Sequence, residues 1–206
     1  MTDHTPSDYI GHVLRASTNG FDFGTRGNEI NVQHSFGSFV LAQVAGDDPS
    51  TCYAVGLIYA IRIADDPFVR ELVMATEVSA STLMDQRKNR LVPIETLVLN
   101  VGYVYEDGTI VQSMPPRPPL SLTEVHLMPP DWVMAFVRKQ DFFRLVLNAG
   151  EVPSDDLVAA AVRYAAQFFT DEAERRAFLV SCGRQVARLL TGDLRRLGHV
   201  VELIRP

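Results

Sequence analysis

"CYAVGLIYAIRIA", from Cys52 to Ala64, is the stretch whose reading decides the fold. It is rich in branched and aromatic residues and lies between two turn signals, "GDDPS" (Gly46–Ser50) and "DDP" (Asp65–Pro67). A strand with one wet face alternates apolar and polar residues. This run stays apolar from Tyr53 through Ile61, so both of its faces are expected to be buried. "IETLVLNVGYVY" (Ile94–Tyr105) has the same character, and two such strands call for cover inside and outside the sheet.

Working outward, "GSFVLAQVAG" (Gly37–Gly46) precedes the opening stretch across its acidic turn. Upstream, "YIGHVLRAS" (Tyr9–Ser17) runs to the turn pair Asn19-Gly20, and "EINVQ" (Glu29–Gln33) follows glycine-punctuated chain. Downstream of Tyr105, Asp107-Gly108 suits a tight hairpin into "TIVQSM". Short, evenly spaced strands of this kind predict a small closed barrel of about six strands. Asp66 as N-cap and Pro67 at N1 predict a short helix, "FVRELVMA", on one barrel connection.

From residue 130 the apolar period changes from two to 3.6. "PDWVMAFVRKQDFFRLVLNAG" predicts one or two helices, stopped by Asn148-Ala149-Gly150. Ser154 is the expected cap of the next helix and Thr170 of the one after. On that last helix Phe178, Leu179, Cys182, Val186, Leu189 and Leu190 form an apolar arc, with Arg184 and Arg188 opposite. Arg195 joins them only if the helix continues through Gly192. "GHVVELIRP" reads as a strand or a last helical turn. The fold class is therefore α+β: a barrel domain over residues 1–129 and an all-α domain over 130–206.

"PPRPPLSL" (Pro115–Leu122) contains the P-x-x-P spacing of polyproline II ligands. Proline cannot donate to a strand ladder, and this run lies between a predicted strand and "TEVHLM". A rigid strap closing the barrel is the preferred reading.

The segments "YIGHVL", "GSFVLAQV", "AVGLIYAIRIADDPFVRELV", "IETLVLNVGYV" and "MPPRPPLSLTEVHL", in this order, resemble the HAS-barrel shared by HerA-type DNA translocases and ATP synthases. The resemblance covers roughly residues 9–128, with Gly11, Gly37, Phe39, Val40, Gly56 and Pro115–Pro119 carrying most of it. It implies a barrel that helps ring subunits assemble and that offers a docking surface to a partner nuclease. It also implies that the proline-rich segment is the last barrel element. The family's motor domain does not follow: no G-x-x-x-x-G-K-[ST] occurs, so nothing cradles ATP phosphates as a P-loop does, and about 75 helical residues stand in its place.

Composition agrees with a globular protein, 47% apolar and 21% charged. The net charge of −6 excludes a molecule that clamps nucleic acid with its whole surface. Residues 172–206 nevertheless hold seven arginines against four acids, leaving nine negative charges on the remainder. Two cysteines without C-x-x-C spacing, and an amino terminus without an apolar leader, point to a reducing cytoplasmic setting. No run approaches the ~20 apolar residues that span a bilayer, so no membrane role is expected.

Chemistry is harder to find. The five histidines show no metal-ligand spacing, no G-x-S-x-G occurs, and Cys182 lies on an apolar arc where thiols are inert. The Asp-Asp-Pro turns are better explained by turn preference than by metal binding. No catalytic, cofactor or metal residues are predicted. Two polar groups remain. In "MDQRKNR", Asp85, Gln86, Arg87 and Arg90 are candidates for a subunit interface. Arg184, Arg188 and Arg195 are candidates for contact with nucleic acid or a partner. Three arginines fall short of the ~6–10 phosphate contacts of strong non-specific binders. The expected function is thus a non-enzymatic assembly or adaptor module, homo-oligomeric or docked on a HerA-like ATPase or nuclease. A nucleic-acid-binding accessory factor is the alternative.

Overall fold

The computed structural model describes residues 8–26, 35–45, 52–63, 67–74, 79 and 93–205. Its strands are β1 (Tyr9–Ala16), β2 (Gly20–Arg26), β3 (Phe39–Gln43), β4 (Cys52–Ile63), β5 (Pro93–Tyr105), β6 (Ile110–Val111) and β7 (Glu124–Leu127). They pair antiparallel in the order β2-β1-β7-β3-β4-β5-β6, and a further β2–β5 pairing closes six of them into a barrel. The two-residue β6 stays outside the ring as a hairpin extension of β5. The expected strand at Glu29–Gln33 lies outside the described residues, as do Asp66 and both Asp-Asp pairs.

The barrel lumen is filled by side chains from all six strands. They include Ile10 and Val13, Phe21 and Phe23, Val40 and Ala42, Ala54 and Ile58, Val98, Val125 and Leu127. Alternate residues of β3, β4 and β5 point outward instead: Phe39, Leu41, Val55, Leu57, Leu99 and Val101 are buried against helices. This is why Cys52–Ile63 and Pro93–Tyr105 read as unbroken apolar runs: successive side chains face different cores. On β5 the alternation slips once. Gly56 pairs with Asn100 and Val55 with Gly102, so Val101 is an extra, bulged residue. Beyond it the even positions face the helices. A Cβ at Gly102 would lie 2.9 Å from the Phe136 ring, and Val104 packs in the helical core.

Six helices are described: α1 (Pro67–Met74), α2 (Pro130–Val137), α3 (Phe143–Leu147), α4 (Ser154–Ala166), α5 (Glu172–Leu189) and α6 (Leu194–Ile204). The five after residue 129 pack on the β3–β4–β5 side of the barrel, and one core runs through both. Phe39 sits at its centre, with the rings of Phe136 and Phe142 at 5.9 Å and Tyr164 at 6.1 Å. Gly37 has φ +87°, and a Cβ there would stand 2.6 Å from the Ala160 Cβ and 2.7 Å from its carbonyl carbon. Glycine thus serves twice: it adopts the left-handed backbone, and it lets the alanine-rich face of α4 touch the start of β3.

A single side chain fastens the hairpin to the helices. The Gln112 Nε2 donates to the carbonyls of Phe136 (2.7 Å) and Lys139 (3.0 Å), and its Oε1 accepts the Phe142 N–H (2.9 Å). Those are free groups at the end of α2 and the start of α3, which have no partners within their own helices. Further on, Arg196 on α6 pairs with Asp155 near the start of α4, and Arg163 donates to the Leu203 carbonyl at 2.7 Å. The ascending order of both contacts makes α4 and α6 parallel.

Several helix boundaries differ from expectation. Ser154 is the first residue of α4, not its cap: Pro153 precedes it, and the Ser154 hydroxyl instead meets Arg196. Asp171, not Thr170, caps α5, accepting the N–H groups of Ala173 and Glu174. Leu189 is 39% exposed and leaves the apolar arc, while Leu190 beside it stays buried. The "GHVVELI" segment is helical, within α6.

The proline run is a strap, as preferred, though not the last barrel element. Pro115 and Pro119 are buried, Pro119 bridges Val44, and the Pro118 carbonyl accepts the Ala45 N–H at 3.2 Å. The last barrel strand is β7, which enters between β1 and β3. Four residues with one apolar alternation are too short a signal to stand out after four prolines' worth of broken ladder.

Candidate interaction surface

The helices cover the β3–β4–β5 wall, and the wall built from β1, β2 and β7 is left facing solvent. Its outward residues are Tyr9, His12 and Leu14 on β1, Asp22 and Gly24 on β2, and Glu124 and His126 on β7. The Tyr9 hydroxyl and the His12 Nδ1 share a hydrogen bond of 2.7 Å, Tyr9 meets the His126 ring edge-on, and His126 Nε2 lies 3.3 Å from Glu124. Arg15 bridges three strands by pairing with Asp22 and Glu95. Its guanidinium pKa is raised, first by the Asp22 hydrogen bond and then by the charges of both acids.

Leu14 on β1 and two leucines of the turn that hydrogen-bonds to β1 are exposed. Leu14 is 51% exposed, Leu120 63% and Leu122 76%. The turn Leu120–Thr123 closes with the Thr123 N–H donating to the Leu120 carbonyl at 3.2 Å. It is stitched to β1 where the Leu122 N–H donates to the Val13 carbonyl (2.8 Å) and the Val13 N–H to Thr123 (2.9 Å). The Leu14 side chain lies across the β2 backbone, 3.3 Å from where a Gly24 Cβ would stand.

Leu122 has φ +67° and is the one non-glycine residue with positive φ among those described. At the third position of such a turn glycine or asparagine is relaxed, whereas a branched side chain costs about 1–2 kcal/mol. The hydrogen bond from the Leu122 N–H to Val13 holds the turn in this conformation, and the side chain is largely exposed. No feature of the sequence marks Leu122; its conformation depends on where the strap meets β1.

The arginines singled out in sequence are exposed. Arg184 and Arg188 project from α5, and Arg195 projects from α6. The helix does not continue through Gly192, so Arg195 belongs to a separate element that begins at the Asp193 cap. Of the other tail arginines, Arg196 is tied to Asp155 and Arg175 to Glu172, which lowers the charge free for a phosphate backbone. Asp85, Gln86, Arg87 and Arg90 lie outside the described residues.

Two concavities flank these surfaces. A cleft of about 630 Å³ opens between the β1–β2 turn and α3 with its following loop. It is lined by Arg15 and Arg144 against Asp22 and Glu151, so its charges cancel, and by Tyr59, whose hydroxyl pKa is raised mainly by burial. A groove of about 530 Å³ between α5 and α6 is floored by Leu179, Val180, Val201 and Ile204 and rimmed by Glu172, Arg176 and Arg205. Both thiols are buried; burial raises the Cys52 pKa and pushes Cys182 up to about 12. Among the described residues no group of three or more His, Cys, Asp or Glu is placed to hold a metal ion, and no helix is long and apolar enough to cross a membrane.

No family model matches the chain, and no curated protein matches it in sequence.

Proposed function

We propose that this protein is a non-enzymatic assembly or adaptor module, a barrel that self-associates or docks on a HerA-like DNA translocase or nuclease in the cytoplasm. The observation that carries this reading is the unequal clothing of the barrel: helices bury one wall, and the other presents exposed leucines held in place by backbone hydrogen bonds. Apolar side chains fixed on an otherwise polar surface are a feature of interaction sites. The HAS-barrel resemblance of residues 9–128 supports the same role and supplies the class of partner.

Size-exclusion chromatography with light scattering, alone and with the HerA-like ATPase, tests it. An oligomer, or co-elution with the ATPase, is expected. A chain that stays monomeric and never co-elutes ends the proposal. The nucleic-acid reading draws on the exposure of Arg184, Arg188 and Arg195. Under it, a labelled-DNA shift at low salt should weaken when Arg184 and Arg188 are both replaced by Glu; no shift at low salt removes it.

A further inference from the structure

We propose that the groove between α5 and α6 docks an amphipathic helix of a partner protein, apolar on one side and acidic along its flanks; the inference rests on the adaptor reading above and locates one of its contacts. The groove sets the end of α6 beside the first two-thirds of α5, so the two helices run antiparallel. On α5 it is lined by Glu172, Arg176, Leu179, Val180 and Gly183, which recur every three or four residues along one side of the helix. That stripe is about 16 Å long, or roughly three helical turns. Val180 is 46% exposed on it. Gly183 lies inside the 18-residue α5, where glycine costs helix stability relative to alanine, and no other part of the chain lies within 4 Å of where its Cβ would stand. The missing side chain leaves the furrow open to a third helix packed along the pair.

Charge selects the occupant. Arg176 and Arg205 line the groove, both are exposed, and neither has an ion pair or a side-chain hydrogen bond among the described residues. The acid that lines it, Glu172, lies 3.5 Å from Arg175 and is already answered. What the groove leaves unmatched is therefore an apolar floor and two cations. An acidic amphipathic helix complements both at once: apolar side chains at three- and four-residue spacing enter the furrow, and carboxylates beside them meet the arginines. A second copy paired groove to groove brings the same two cations to the same rim and is repelled. Nucleic acid has no apolar ridge for the floor, and two arginines fall short of the ~6–10 phosphate contacts of strong binders.

Two labelled synthetic peptides test this by fluorescence anisotropy against the full chain. Each has about 16 residues, with leucines at three- and four-residue spacing; one carries glutamates on its flanks and the other lysines. The glutamate peptide should bind with a dissociation constant of roughly 100 µM or tighter, and the lysine peptide at least about tenfold more weakly. Gly183→Leu fills the furrow with a better helix former, so binding should fall at least about tenfold while the thermal midpoint holds or rises. Replacing Arg176 and Arg205 together by Glu should reverse the preference between the peptides. Equal affinity of the native chain for both peptides overturns the acidic occupant. No binding at roughly 1 mM, or binding that survives Gly183→Leu unchanged, overturns the groove as a docking site. A dimer that Gly183→Leu dissolves would make a second copy the occupant instead. In each of these cases an oligomer, or co-elution with the ATPase, would still carry the assembly role.

Discussion

The two walls of the barrel share one lumen and one ring of hydrogen bonds, yet they differ in everything outside it. On β3, β4 and β5 the outward positions are Phe39, Leu41, Val55, Leu57, Leu99 and Val101, all buried under helices. On β1, β2 and β7 the outward positions carry Tyr9, His12, Asp22, Glu124 and His126, and water reaches most of them. The difference teaches how to read such a chain. A barrel strand always spends one face on the lumen, so the other face reports whether anything lies beyond it. Unbroken apolar runs mark the clothed wall, and interrupted ones mark the bare wall.

The largest blow to this contrast should come from Gly37→Val. The substitution forces a branched residue to φ +87° and drives its Cβ into the Ala160 backbone. A loss on the order of 3 kcal/mol or more in urea unfolding is expected. A loss below about 1 kcal/mol would mean that α4 is free to move off β3. Gln112→Ala comes next. It removes the group that satisfies the Phe136 and Lys139 carbonyls and the Phe142 N–H, and about 2 kcal/mol should be lost in the same measurement. Gln112→Glu would sharpen the result, since it retains the acceptor for Phe142 and loses both donated bonds. The smallest effect belongs to the bare wall: Arg15→Ala breaks two exposed ion pairs, and the unfolding midpoint should not move measurably. A clear destabilisation there would show that the three-strand bridge, not the lumen, keeps β1 and β2 in register.

Much of the architecture was legible in the chain because it rests on periodicity. The buried strands, the change to helices at residue 130 and the break at Gly192 each follow from local patterns. The strap was legible too, because proline's missing donor limits where it can lie. Other features escaped for identifiable reasons. Gln112 is an ordinary polar residue until the ends of α2 and α3 converge on it from 24 and 30 residues away. β7 has only four residues; the cap of α5 is Asp171, as able a cap as its neighbour Thr170, and α4 begins after Pro153 with no side-chain cap at all. Arg184 and Arg188 stand exposed on α5, and Arg195, expected beside them only if the helix ran through Gly192, lies on α6 instead. Leu122 had no signal at all, since positive φ in a leucine is decided by contacts with a strand more than 100 residues earlier.

The shared core also has a bearing on inheritance. The chain passes from strands to helices at Met128–Pro130, yet Phe39, Leu41, Val55 and Leu57 pack against Val133, Phe136 and the alanines of α4 as one cluster. A gene severed at that junction would encode a barrel with a sticky, unclothed flank, prone to clump. What can be passed intact between proteins is therefore larger than the barrel: it is the barrel together with whatever covers β3, β4 and β5. Where another protein joins a similar barrel to a different neighbour, that neighbour must bring its own apolar side chains to the same flank.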